Sequence, residues 1–157
     1  MRNSIVLILF SLLITYSCKN STSSENSEFF TDPNFEIVIR DALNKPSGDI
    51  TESDLLTITQ IDGWSRGITN IDGIEYCENL EVINLRDNNI NNIDALVDLT
   101  KLTGLSLSIN QINDISALAD LEDLHNLDLA ENLLSDINAL SSLINLKYIT
   151  VLQSILG

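Results

Sequence analysis

Basic residues are scarce in this chain: 8 Lys and Arg face 23 Asp and Glu across 157 residues, a formal net charge of −15. Nucleic-acid binding draws its affinity from cations that neutralise phosphates, so that class of partner is excluded. Attachment to an anionic membrane through a basic patch is excluded on the same ground. Aromatic residues make up only 5% of the sequence, with one Trp and four Phe, so the core must be aliphatic. The apolar fraction of 44% is enough to form one, and the length suits a single ordinary domain. Two Cys and one His leave almost no material for a zinc centre or a nucleophile–histidine pair. With six Gly there is no glycine-rich phosphate loop, and no loop carries the alternating acids of a calcium site. Nothing in the sequence sets two carboxylates in one pocket for glycosidic chemistry. The composition implies no catalysis and no cofactor.

Long apolar runs are missing too. The longest, Ile5 to Ile14, is interrupted only by Ser11 and follows the positive Arg2. As a helix it would span about 15 Å, half of the ~30 Å hydrocarbon core, which fits the apolar region of a signal peptide over residues 1–17. The stretch Ile14-Thr15-Tyr16-Ser17-Cys18 resembles a bacterial lipobox, with Ser17 fitting the pattern and Thr15 standing where Leu is usual. That resemblance implies lipidation of Cys18. Cleavage by ordinary signal peptidase is the alternative, because Thr15 and Ser17 suit its small-residue pockets, and it would release a soluble secreted protein. Residues 18–28 contain no large apolar side chain after Cys18 and are expected to form a disordered tether of at most ~35 Å.

The rest of the chain repeats itself every 22 residues. Asn88, Asn110 and Asn132 share one column; Ile83, Leu105, Leu127 and Ile149 share another; Leu85, Leu107, Leu129 and Val151 a third. A second half-unit repeats as Ile93, Ile115, Ile137 and as Leu99, Leu121, Leu143. This pattern resembles the leucine-rich repeat family, and its repeat length resembles the internalin-type subfamily, over about residues 58–157. The resemblance implies an α/β fold: a right-handed solenoid with short parallel strands on its concave face and 3₁₀ turns on the convex one.

Physical arguments give the columns their roles. The period-two end of Leu80-x-x-Ile83-x-Leu85 turns Ile83 and Leu85 the same way from a short strand. The asparagines at 88, 110 and 132 fall where the chain leaves the strand, inside the coil. A buried amide is costly unless its donors and acceptor are all used, so stacked units are expected to build a ladder of side-chain-to-backbone hydrogen bonds. Ile93-x-x-Leu96-x-x-Leu99-x-x-Leu102 has the period of three that suits tight turns. Asp72, Asp94, Ser116 and Asn138 follow the isoleucine column and are expected to cap those turns. Cys77 occupies a leucine column and reads as a small buried hydrophobe; no disulfide is expected.

A solenoid needs covered ends. Residues 29–57 predict a helical cap similar to that of internalin-type domains. Asp32 stands as cap and Pro33 at the first helical position, Phe35, Val38, Ile39, Ala42 and Leu43 share one face, and a second short helix follows Thr51. Toward the other end, the unit beginning at Lys147 reaches only half way round by Gly157, and Ser154 holds its asparagine position. The expectation is a truncated chain or an edge covered by another molecule, which leaves self-association through that edge open.

The side chains facing out of the concave sheet form the candidate binding surface. Read by register they are Gln60, Val82, Gly104, Asn126, Tyr148; then Asp62, Asn84, Ser106, Asp128, Thr150; then Trp64, Arg86, Ser108, Ala130, Leu152, with Ser65, Asp87, Ile109, Glu131 and Gln153 beside them. Trp64, Asn84, Arg86, Ser106, Ser108, Asn126, Asp128 and Tyr148 are the expected contacts. Trp64, Arg86 and Tyr148 are types that anchor interfaces, and Trp64 packing under the N-terminal cap is the competing expectation. His125 begins a regular strand and reads as a surface residue. The family resemblance implies a protein partner and adhesion or surface interaction from the bacterial envelope; a structural scaffold or a fragment of a larger repeat protein are the alternatives.

Overall fold

The computed structural model describes residues 29–152. The signal segment, Cys18 and the tether lie outside the described residues, as do Gln153, Ser154 and the apolar pair Ile155 and Leu156.

Helix α1, Pro33–Leu43, starts where expected, with Asp32 as N-cap and Pro33 supplying a preset φ. Asn44 ends it in the left-handed conformation. Phe35, Val38 and Ile39 are buried and Leu43 half-buried, but Ala42 is exposed, so the apolar stripe is narrower than the sequence suggests. A capping box of Thr51 and Asp54 opens the single turn α2, Glu52–Leu55. Five three-residue strands follow: β1 Gln60–Asp62, β2 Val82–Asn84, β3 Gly104–Ser106, β4 Asn126–Asp128 and β5 Tyr148–Thr150. They pair in parallel, in chain order, and every pairing joins residues 22 apart. The sequence repeat is therefore the sheet register, and each column is a straight line of side chains.

Between strands the chain returns through 3₁₀ turns at Ile74–Tyr76, Asp94–Leu96, Ser116–Leu118 and Asn138–Ser142. Their capping differs from expectation. Asp72, Asp94, Ser116 and Asn138 do not accept the first free N–H groups; the acceptors sit two residues upstream. Asn70 Oδ1, Asn92 Oδ1, Asp114 Oδ1 and Asp136 Oδ1 take the N–H of these four residues at 2.6–2.8 Å. This is the Asx turn, in which a short polar side chain reaches its own backbone two residues on. The bond to the Ser116 N–H holds the Asp114 carboxyl below the usual range.

The core is a continuous stack of Ile and Leu running from Phe30 under α1 to Leu143. Cys77 is fully buried in it, and burial pushes its thiol up to about 12, so it behaves as a hydrophobe rather than a reactive thiol. Just after β1, Gly63 is packed closely by side chains of its own and the next repeat and, less tightly, by α1. A Cβ there would stand 2.9 Å from a Leu85 methyl and 3.3 Å from one of Val38.

Candidate concave binding face

The three internal asparagines lie at the corner after each strand. Asn110 Nδ2 donates to the carbonyls of Leu85 and Leu107, each at 3.0 Å, and its Oδ1 accepts the Ile90 N–H at 3.0 Å. Asn132 repeats this with Leu107, Leu129 and Ile112. Asn88 goes further, since its Oδ1 accepts from both Arg66 N and Ile68 N. Each amide spans its own coil and the preceding one, which welds neighbouring repeats together.

Just before each asparagine, at Asp87, Ile109 and Glu131, and at the equivalent Ser65 before Arg66, the backbone is left-handed, with φ of 54–59°. The sequence places these residues in a fourth outward column; they are the corner itself. Asp tolerates that conformation, whereas for the β-branched Ile109 it is strained.

On the face above the strands, the expected contacts are not equivalent. Trp64 is 59% exposed and does not pack under the cap; Tyr148 is 72% exposed at the far side of the sheet. Asn126 is exposed and Ser106 half-exposed. Asn84 and Asp128 also have local duties, each taking the N–H two residues on, at 3.3 Å from Arg86 and 3.2 Å from Ala130. Asn84 Nδ2 in turn donates to Asp62 Oδ1 at 2.9 Å. Ser108 is 0% exposed and is corrected from contact to support: its hydroxyl accepts Arg86 Nη1 at 3.0 Å. The long guanidinium arm lies over the small serine and reaches on to Asp128 Oδ2 at 3.8 Å, holding Arg86 across three strands. Arg86, still half-exposed, is presented to solvent in a fixed pose.

One feature of this face is absent from the expected contacts. Gly104 interrupts the first outward column and lies in the floor of a hollow of about 370 Å³ that spans β2 to β5, lined by Val82, Asn126 and Tyr148 and by Asn84, Ser106 and Asp128 of the next column. The glycine itself was the readable signal. Elsewhere, a nitrogen of the His125 ring lies 2.6 Å from the Asp123 carbonyl, beside the start of β4. Among the described residues no group of three or more His, Cys, Asp and Glu could hold a metal ion, and no helix is long and apolar enough to cross a membrane.

The stacked coils, the strand register and the asparagine ladder agree with a family comparison. Residues 78–120 and 100–142 match the model described as leucine-rich repeats in two copies. The chain carries leucine-rich repeats. Its fold is similar to an internalin, InlF, from Listeria monocytogenes str. 4b F2365, at 34% identity over 78% of this chain and 44% of that one, with a TM-score of 0.72. It is also similar to internalin C2 of the same strain, at 31% identity over 78% and 65% of the two chains, with a TM-score of 0.62. A third similarity is to the functional domain of InlJ from Listeria monocytogenes, which includes a cysteine ladder: 30% identity over 76% and 26%, TM-score 0.71. The chain thus spans less than two thirds of each of these internalins. A comparison with curated proteins matched none of them.

Proposed function

We propose that this leucine-rich repeat chain is an exported, non-enzymatic protein-binding module of the bacterial envelope, anchored by a lipid on Cys18, which engages a protein partner through its concave face. The observation that carries the binding reading is the single outward sheet face on which Trp64 and Tyr148 stand exposed at opposite ends with Arg86 fixed between them. Exposed Trp and Tyr are residue types that anchor interfaces, and an arginine already held by Ser108 and Asp128 loses less freedom on binding. The similarity to internalins supports a surface or secreted location and an interaction role.

A photo-crosslinking residue placed at position 64, 106 or 148 should label the same partner. The same residue at the convex positions 97 or 120 should label none. Crosslinks from the convex positions alone would refute the concave reading.

Anchoring is tested separately. Cys18→Ala is expected to move the protein from the membrane to the soluble fraction and to abolish labelling by a fatty-acid analogue. Membrane attachment that survives the substitution removes the lipid anchor from the proposal.

A second reading, self-association, is favoured by β5. It is the edge strand of the sheet among the described residues, and beside it Ile144 is 81% exposed and Tyr148, Ile149 and Leu152 are also exposed. Open edges template pairing with other chains, while the −15 net charge opposes it over the ~8 Å screening distance of physiological salt. On this reading, sedimentation shows a mass that rises with protein concentration and with salt. A constant monomer mass at high salt leaves the partner reading alone.

A further inference from the structure

We infer that the hollow over Gly104 is a socket for one apolar side chain, aromatic or branched aliphatic, carried next to a Lys or Arg by the protein partner. This inference rests on the concave face being the binding surface and names the chemistry that the face would recognise.

Gly104 is the starting point because the backbone does not require it. Its φ lies outside the left-handed region, unlike that of Gly73 at 99°. A Cβ at 104 would sit 3.7 Å from both Val82 methyls, an ordinary contact, in contrast to the 2.9 Å approach at Gly63. Glycine inside a strand costs about 0.5–1 kcal/mol relative to alanine and often marks close approach by a ligand or another backbone. Here no described neighbour makes that approach. What the missing side chain leaves is space: the floor at Gly104 lies in register between Val82 and Asn126, with Tyr148 one strand further on. The half-exposed Val82 and the Tyr148 ring supply apolar walls within a hollow whose other side is polar, at Asn84, Ser106 and Asp128, and its total of about 370 Å³ over four strands admits one large side chain above Gly104.

The charge of the partner follows from the rim. The next column carries two carboxylates, Asp128 in the lining of the hollow and Asp62 outside it on β1, and Arg86 is already engaged by Asp128 and by Ser108. Around this lies a chain of net charge −15. An acidic segment would be repelled from the approach, whereas a Lys or Arg beside the inserted group would be attracted and could reach Asp62.

A random peptide library selected on the purified full chain provides the probe. Enriched peptides are expected to share one aromatic or branched aliphatic residue adjacent to Lys or Arg. They should bind Gly104→Val about tenfold more weakly or worse, with Gly104→Ala intermediate, because filling a central pocket removes an anchor. Both glycine variants should melt at or above the wild-type temperature, Gly104→Ala by about 3 °C. Peptides that bind Gly104→Val as tightly as wild type overturn the socket. So do enrichment of acidic or anchorless sequences, a failure to enrich any sequence, and a Gly104→Ala variant that melts lower. Ser106→Arg separates this inference from the broader one. Peptides that lose Ser106→Arg but keep Gly104→Val leave the concave face as the binding surface without the socket. Peptides indifferent to both substitutions remove the concave face as well.

Discussion

Replacing Asp32 with alanine is expected to destabilise the domain by about 3 kcal/mol or more, because one carboxylate joins the cap to the first repeat. Its Oδ1 accepts the N–H groups of Asn34 and Phe35 at 2.8 and 3.2 Å and so starts α1. Its Oδ2 accepts Thr69 N and Thr69 Oγ1, both at 2.7 Å, and Asn70 N at 3.1 Å. The group is buried. Alanine would remove the helix cap and leave the donors at residues 69 and 70 facing a void, and unpaired buried donors are more costly than a lost surface bond. Burial by itself raises the pKa of Asp32, but the bonds from Thr69, Asn34 and Asn70 outweigh it and the carboxyl titrates below its usual 3.8. Because the folded-state value is the lower one, the stability it confers is complete above the ordinary carboxylate range. It is lost as pH falls through the folded-state value. Urea midpoints measured from neutral pH downward should therefore fall more steeply for wild type than for Asp32→Asn. The asparagine keeps one acceptor and cannot titrate, yet turns an amide N–H₂ toward donors and so starts less stable. Equal midpoints for wild type and Asp32→Ala at neutral pH would show that α1 is held by Phe35, Val38 and Ile39 alone.

The same residue shows where reading the chain stops. Asp32 before Pro33 announces a helix start, since both preferences are local. Its second oxygen bonds residues 37 and 38 positions away, which no local pattern encodes. The strand register was legible to the residue because period-two apolar spacing and the 22-residue recurrence fix both side and register. The Asx turns were missed by two positions. Asn70, Asn92, Asp114 and Asp136 recur at the same spacing as the residues chosen instead, and both columns are rich in capping types, so composition could not choose between them. On the concave face the register places Arg86 and Ser108 in one column, yet Ser108 is buried. Only the difference in their lengths, a guanidinium arm lying across a serine on the next strand, decides which of them meets solvent. Gly104 was visible as a gap in a column, but its meaning depends on the clearance around it.

Asn110→Leu carries the other large expected effect. Leucine fits the volume of the site and removes every polar function at once. The Ile90 N–H loses its acceptor inside a coil where water has no ready access, and the carbonyls of Leu85 and Leu107 each lose one of two side-chain donors, keeping Asn88 Nδ2 and Asn132 Nδ2 respectively. The unsatisfied Ile90 donor costs about 1–3 kcal/mol and each lost carbonyl bond about 0.5–1.5 kcal/mol, so a loss of about 3 kcal/mol is the expected net after partial relaxation. Since the amide connects two coils, the damage should spread: hydrogen exchange should accelerate at Ile90 and Gln111 and across the β2–β3 pairing, while α1 keeps its protection. Asn110→Asp isolates the donor half of the ladder. The carboxylate can still accept from Ile90 but faces the two carbonyls with negative charge, so its folded-state titration point must rise. Above that point the variant is expected to be less stable than at mildly acidic pH, where a protonated carboxyl restores one donor. A melting temperature for Asn110→Leu equal to wild type, or an Asn110→Asp variant indifferent to pH, would mean that the apolar stack alone holds the coils in register. In either case the internal asparagines would contribute nothing beyond filling space.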